Sequence, residues 1–164
     1  DAAAANGSGL TVDGANATFN YASTGDKWTT NKGLDVGGPL QVDEILEKAT
    51  IDTTTTGTLA VDSQVQSVVF LNTNQTANRT INFSNVDANM AVGESMSFAV
   101  LATQGSSAYY FNAYQVDGSA VTPKWQGGSA PTGGNASSID VYTFTIIKTA
   151  SATFTVLATL AQFA

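Results

Sequence analysis

The sequence contains no cysteine and no histidine among its 164 residues. Without cysteine there are no disulfides, thiol nucleophiles or thiolate metal sites. Without histidine there is no Ser-His-Asp triad and no imidazole metal ligand. Charged residues make up only 12% of the chain, so carboxylates that could act together in catalysis are thinly spread. These absences predict a protein that is not an enzyme, with no catalytic residues, no metal and no cofactor.

Basic residues are equally scarce. The chain has six Lys and Arg against 13 Asp and Glu, a net charge of −7. Binding to nucleic acid requires clustered cations that displace phosphate counterions, and here the six are scattered. No apolar run approaches the roughly 20 residues that a membrane-spanning helix needs. We therefore expect neither a nucleic-acid partner nor a membrane partner.

Thr, Ser, Asn, Gly, Ala and Val dominate the chain. Thr and Val favour pleated strands, and Gly, Asn and Ser supply turns, so the composition predicts an all-β fold. Residues 1–48 have few large apolar side chains and are predicted to form a stem of short strands. Residues 49–164 are predicted to form a C-terminal antiparallel β-sandwich or jelly-roll-like head. Val42–Lys48 is the only helix-like stretch, of at most two turns.

A Leu-x-Val pair recurs in the first region and once beyond it, at Leu59 and Val61. The spacing of two places both side chains on one face of a strand. Such short pairs cannot bury themselves within one chain, but equivalent pairs from several chains could meet at a shared axis. The alternative is a loose N-terminal arm with chance pairs. The candidate trimer-axis residues are Leu10, Val12, Leu34, Val36, Leu40 and Val42.

Alternating patterns predict several further strands. Ala17–Tyr21 and Lys27–Thr29 are predicted to pair as a hairpin. In the second region, Arg79–Phe83 alternates, and Asp117-Gly118 is a turn signal because both residues tolerate positive φ. The clearest strands carry apolar residues on one face. These are Tyr142, Phe144 and Ile146 in the first, and Phe154, Val156, Ala158 and Leu160 in the second.

Two stretches of the second region, Asp117–Gly128 and Asn135–Thr149, resemble the C-terminal domain of fibre-like virion structural proteins of marine tailed phages, including phages of cyanobacteria. The most specific parts are Thr122–Gly128 (TPKWQGG) and the ending Leu160–Ala164 (LAQFA). The resemblance covers about residues 49–164. Trp28–Val36 (WTTNKGLDV) is similar to a common stretch of phage-fibre shafts.

This resemblance implies a homotrimeric component of a virion fibre or appendage, located in the virion. The implied partners are further copies of the chain and other virion proteins, with a host-surface glycan or protein as an additional candidate. One alternative is a capsid-surface decoration or capsid fibre protein from the same group. Another is a secreted bacterial adhesin or pilus-like subunit.

Four residues are candidates for ligand contact. Trp125 could stack on a sugar ring beside Tyr109 or Tyr110, but a core-plugging role is the more common use of a tryptophan. Asn135 lies in the Gly-rich loop 126–138, which could be a binding tip or a simple connection. Asp117 and Asp140 are the only acids in the strongest β region. Because Asp117 is explained by its turn, we do not expect a glycosidase pair.

Overall fold

A computed structural model describes all of residues 1–164. The chain divides into two compact units, Asp1–Ile45 and Leu46–Ala164. Strands make up 46% of the residues and there is one short helix, so the predicted all-β class is confirmed. We refer to Asp1–Ile45 as the N-terminal unit and to Leu46–Ala164 as the head.

The N-terminal unit contains one antiparallel sheet of three strands in the order β1-β2-β3. These strands are β1 (Gly9–Val12), β2 (Ala17–Ala22) and β3 (Lys27–Thr30). The predicted hairpin between β2 and β3 is therefore confirmed. Glycine is needed where β1 begins, because a Cβ on Gly9 would lie 2.3 Å from the carbonyl oxygen of Phe19 on β2.

The prediction of a helical turn within Val42–Lys48 is wrong, since this stretch has no helix. Ile45 and Leu46 are 79% and 96% exposed, so no core is available to bury the apolar side of such a turn. An isolated helix this short is unstable in water because few hydrogen bonds offset its nucleation cost. The one α-helix, α1, is instead Val86–Asn89 in the head.

The head contains ten strands. They are β4 (Ala49–Asp52), β5 (Thr58–Asp62), β6 (Val68–Leu71), β7 (Arg79–Ser84), β8 (Ser95–Thr103), β9 (Phe111–Val116), β10 (Ser119–Ala120), β11 (Lys124–Trp125), β12 (Ile139–Ala150) and β13 (Thr153–Phe163). A four-stranded sheet has the order β10-β9-β7-β5, and a six-stranded sheet has the order β11-β13-β12-β8-β6-β4.

The first six strands of the head alternate between the two sheets. β4, β6 and β8 are parallel neighbours in the six-stranded sheet, and β5, β7 and β9 are parallel neighbours in the four-stranded sheet. The chain thus winds three times around the core, each turn contributing one strand to each sheet. The second sheet takes the place of the helix that usually connects parallel strands.

Antiparallel pairing is confined to the later part of the head. β12 pairs antiparallel with β8 and with β13, and β9 pairs antiparallel with β10. The expectation of an antiparallel head is therefore corrected to two mixed sheets. Alternation of apolar and polar residues is the same for both strand directions, so it identifies the strands without fixing their orientation.

One apolar core fills the space between the sheets. Phe83 of the four-stranded sheet lies 4.8 Å from Phe98 and 5.0 Å from Phe144 of the six-stranded sheet, measured between ring centroids. The predicted faces of β12 and β13 are inward, since Tyr142, Phe144, Ile146, Val156 and Ala158 are all buried.

Asp117 forms its predicted turn, and its side chain also bonds to the start of α1. Asp117 and Gly118 have φ values of 49° and 78°, as the turn between β9 and β10 requires. The Asp117 carboxylate also accepts hydrogen bonds from the backbone amides of Val86 and Asp87, at 3.1 and 2.8 Å. These bonds satisfy two free N–H groups at the start of α1, so Asp117 joins the turn to the helix.

Candidate functional site

The sheet of the N-terminal unit has one apolar face and one polar face. Register places Leu10 opposite Phe19, and Tyr21 opposite Trp28, all on the same side of the sheet with Val12. The rings of Phe19 and Trp28 stack 5.3 Å apart with an angle of 11° between their planes. The opposite side carries threonine, asparagine and lysine residues. They are Thr11, Thr18, Asn20, Lys27 and Thr29.

This apolar face is not covered by any other part of the N-terminal unit. Leu10 is 65% exposed, Phe19 47% and Trp28 58%, and none of residues 1–48 is buried. Single exposed apolar residues are normal on protein surfaces, but contiguous apolar patches mark sites of interaction. The N-terminal unit therefore presents a candidate assembly surface, which we call the N-terminal apolar face (Leu10, Val12, Phe19, Tyr21 and Trp28).

The six predicted trimer-axis residues are all exposed, but they do not share one structure. Leu10 and Val12 lie on β1 and belong to the N-terminal apolar face. Leu34, Val36, Leu40 and Val42 lie in a segment without regular secondary structure.

The similar pair Leu59–Val61 is buried in the core of the head, on β5. The interpretation of the Leu-x-Val pairs as a structural repeat is therefore wrong, because the pairs occupy three different environments.

Trp125 packs against the head core. Its ring lies 5.5 Å from Tyr114 and 6.3 Å from Phe144, in edge-to-face contacts. Tyr109 and Tyr110 instead line a small cavity that Trp125 does not reach. Asn135 donates its backbone amide to the Asp140 carboxylate at 3.1 Å. The four predicted ligand-contact residues are thus not assembled into one pocket.

A buried arginine lies at the end of the core that Tyr109 and Tyr110 line. Arg79 is 3% exposed, and its guanidinium donates to the carbonyl oxygens of Gly57 and Thr54, to the Thr54 hydroxyl and to the Gln75 side chain, at 2.9 to 3.1 Å. Burial lowers the pKa of Arg79, and the charge of Asp52 partly opposes this shift. The guanidinium joins the segment before β5 to the start of β7.

Two further buried polar groups lie nearby on β12. Asp140 and Tyr142 are both fully buried, and burial raises the pKa of each side chain. The Tyr142 hydroxyl and one Asp140 carboxylate oxygen have no hydrogen-bond partner. Tyr142 and Arg79 line a cavity of about 10 Å³, which accommodates about one water molecule and is too small for a sugar ring.

A second buried cation lies at the other end of β12. Lys148 is 8% exposed, and its ammonium group contacts the Asp87 carboxylate at 2.8 Å. It also donates to the carbonyl oxygens of Asp87 and Met90, at 2.7 and 2.8 Å. The Asp87 carboxylate accepts a further bond from the amide of Ala152, at 2.8 Å. Lys148 thereby binds α1 to the β12–β13 hairpin.

Arg79 and Lys148 were not among the predicted site residues, although the alternation of β7 and β12 identifies both as inward-facing. Arg79 is in phase with Ile81 and Phe83, and Lys148 is in phase with Phe144 and Ile146, so each must point inward. A charged residue that alternates in phase with buried apolar residues indicates a charge that is buried and hydrogen-bonded at the end of the core.

No group of three or more potential metal-ligating side chains occurs in the structure. No helix has the length and hydrophobicity that crossing a membrane requires. Comparison of the chain with protein-family models, curated proteins and solved structures finds no match.

Proposed function

We propose that this chain is a structural protein of a bacteriophage virion, which assembles as a homotrimer and forms part of a fibre or appendage. The observation that carries the proposal is the N-terminal apolar face, which is exposed in a unit that has no buried residue. A protein whose stem is completed only by assembly fits a structural role.

A single sheet with one apolar face must bury that face against another layer to be stable in water. Residues 31–45 add exposed apolar side chains to this unit instead of covering its sheet. Three copies related by a threefold axis would bury three equal faces against one another and leave their polar faces in solvent. This arrangement supports a trimer with Leu10, Val12, Phe19 and Trp28 near the axis.

The resemblance of Thr122–Gly128 and Leu160–Ala164 to phage-fibre head domains supports the virion location. The scarcity of charge and the absence of His and Cys also favour a structural role over a catalytic one. Contact with a host surface remains a further part of the proposal, with loop 126–138 as the candidate region.

The mass of the purified protein in solution tests the trimer. We expect light scattering to give three times the chain mass of 16.9 kDa. Leu10→Lys places a charge on the N-terminal apolar face and should reduce the mass to that of one chain. Thr11→Lys is the matched control, because Thr11 is the next residue on the opposite face, and it should leave the trimer intact. A wild-type protein that is monomeric at micromolar concentration would refute the trimer.

Immunogold labelling of phage particles tests the location. Label on tail fibres or other appendages is expected. Label spread over the capsid would favour the decoration protein instead, and the absence of label from particles would contradict the virion proposal.

A further inference from the structure

The outer faces of the two sheets of the head differ in composition. On the four-stranded sheet, register directs polar side chains outward from β5, β7 and β9. The outward residues include Thr58, Asp62, Thr80, Asn82, Ser84 and Gln115. This composition is typical of a sheet face in contact with water.

The outer face of the six-stranded sheet carries no charge on any outward residue of β4, β6, β8, β12 or β13. Register places only Ala, Ser, Thr, Val, Ile, Leu and Phe there. Representative members are Ile51, Phe70, Leu101, Val141, Thr143 and Leu157. We call this surface the uncharged face. Lys124 lies on the edge strand β11. One carboxylate from outside the strands, that of Glu47, lines a shallow depression on this face together with Val68 and Thr143.

Hydroxyl groups within the uncharged face bond to one another. The hydroxyls of Thr143 and Thr159 are 2.5 Å apart, and those of Ser97 and Thr145 are 3.5 Å apart. Cross-strand pairs of this kind use up hydrogen-bonding capacity that would otherwise be directed at water. The face can therefore be covered by another protein surface at a small desolvation cost.

The size of the uncharged face matches that of a subunit interface. The five strands are between four and 12 residues long. With strands about 4.8 Å apart and about 3.3 Å per residue, they cover on the order of 600 Å². Each partner in a stable interface contributes roughly 800 Å² of accessible surface, and projecting side chains make accessible area larger than this planar estimate.

The net charge of the chain bears on what covers the uncharged face. Each copy of the chain has a net charge of −7, so two copies repel each other over most of their surface. The strand residues of the uncharged face carry no charge, so two copies meet fewer opposing charges there than over the rest of their surfaces. We propose that the uncharged face is a contact surface between copies of this chain. This inference rests on the proposed assembly into an oligomer but not on the N-terminal apolar face.

Thiol labelling tests whether the face is covered, because the chain contains no cysteine of its own. Thr143 and Thr58 are exposed threonines on the outer faces of the six-stranded and four-stranded sheets. In purified protein the only available partner is another copy. We expect a maleimide to label Thr143→Cys about 10-fold or more slowly than Thr58→Cys, the ratio that burial worth about 1.4 kcal/mol gives.

A second substitution shows whether another copy provides the protection. Ala161→Lys adds a charge to the uncharged face, and Ala60→Lys adds the same charge to the outer face of the four-stranded sheet; both alanines are exposed. Ala161→Lys should restore rapid labelling of Thr143→Cys, and Ala60→Lys should not. Equal labelling of the two cysteines, or protection that Ala161→Lys does not remove, would overturn the inference.

The Leu10→Lys variant separates this inference from the proposed function. If Leu10→Lys abolishes a wild-type trimer while Thr143→Cys is labelled as rapidly as Thr58→Cys, the trimer stands and the head contact is wrong. If Thr143→Cys is protected and Ala161→Lys exposes it, but the wild-type mass is not three chains, the head contact stands and the trimer is wrong.

Discussion

Phe83 and Phe19 show how the two units of this protein differ. Phe83 is fully buried between two sheets, in contact with Phe98 and Phe144. Phe19 lies on a strand with the same alternation, yet it is 47% exposed and its main aromatic contact is another exposed residue, Trp28. Similar strands therefore produce a closed core in the head and an open face in the N-terminal unit.

The difference comes from the number of sheets. In the head the chain crosses from one sheet to the other at each turn, so each inner face is covered by the opposite sheet. The N-terminal unit has a single sheet and no second layer. A β-sheet buries its apolar face only against another layer, so the N-terminal unit needs that layer from outside itself.

The largest expected effect comes from truncating Phe83, and truncation of Phe19 is the comparison. Each unit contains one tryptophan, Trp28 or Trp125, so Trp28→Phe leaves a fluorescence signal from the head alone. In that background, Phe83→Ala should lower the free energy of unfolding by about 3 to 5 kcal/mol, because it leaves a cavity in the core. Phe19→Ala should leave the same transition unchanged.

A second tryptophan variant reports on the N-terminal unit instead of the head. With Trp125→Phe, the signal comes from Trp28, and Phe19→Ala should shift its emission by removing the stacked ring. If Phe19→Ala destabilised the head as strongly as Phe83→Ala does, the distinction between a closed core and an open face would be wrong.

The next largest effect concerns Lys148, whose ammonium group joins α1 to the β12–β13 hairpin. Lys148→Met removes three charge-assisted hydrogen bonds and leaves the Met90 carbonyl without this partner. We expect the head to lose about 2 to 3 kcal/mol of unfolding free energy, measured by urea denaturation. Lys124→Met is the control, since Lys124 is exposed, and it should change the value by less than about 0.5 kcal/mol. Equal effects would mean that the Lys148 contacts contribute nothing specific.

Much of the fold could be predicted from alternation. The inward faces of β12 and β13, the β2–β3 hairpin and the Asp117-Gly118 turn all follow from period-two patterns and turn chemistry. The winding of β4 to β9 could not be predicted in this way. Strand direction depends on which distant strand becomes the neighbour, and neighbouring strands here are separated by a strand of the other sheet.

The candidate surfaces were only partly predictable. Leu10 and Val12 were selected because a pair on one strand face cannot bury itself, and both are exposed. The contribution of Phe19 and Trp28 to the same face depends on the register of β1, β2 and β3, which the sequence does not specify. The uncharged face likewise appears only when five strands are placed side by side.

The smallest expected effects are the pH responses of two carboxylates, of which the first is Asp87, which is 39% exposed. The Lys148 hydrogen bond, followed by the Ala152 amide, lowers the pKa of Asp87 below its usual value of 3.8. The folded state thus favours the carboxylate, and the stabilisation is complete above the unfolded pKa and lost as pH falls through the folded pKa. The unfolding free energies of wild type and Asp87→Asn should therefore converge below about pH 4.

Asp140 should respond with the opposite sign. Burial raises the pKa of Asp140, against the opposing hydrogen bond from the Asn135 amide, so the folded state favours the protonated acid. Its ionisation destabilises the head as pH rises from the unfolded pKa through the folded pKa. Asp140→Asn removes this cost, so its unfolding free energy relative to wild type should increase with pH, whereas that of Asp87→Asn decreases. Urea denaturation between about pH 3 and pH 7 measures both, and parallel curves for the two variants would contradict the opposite environments of these carboxylates.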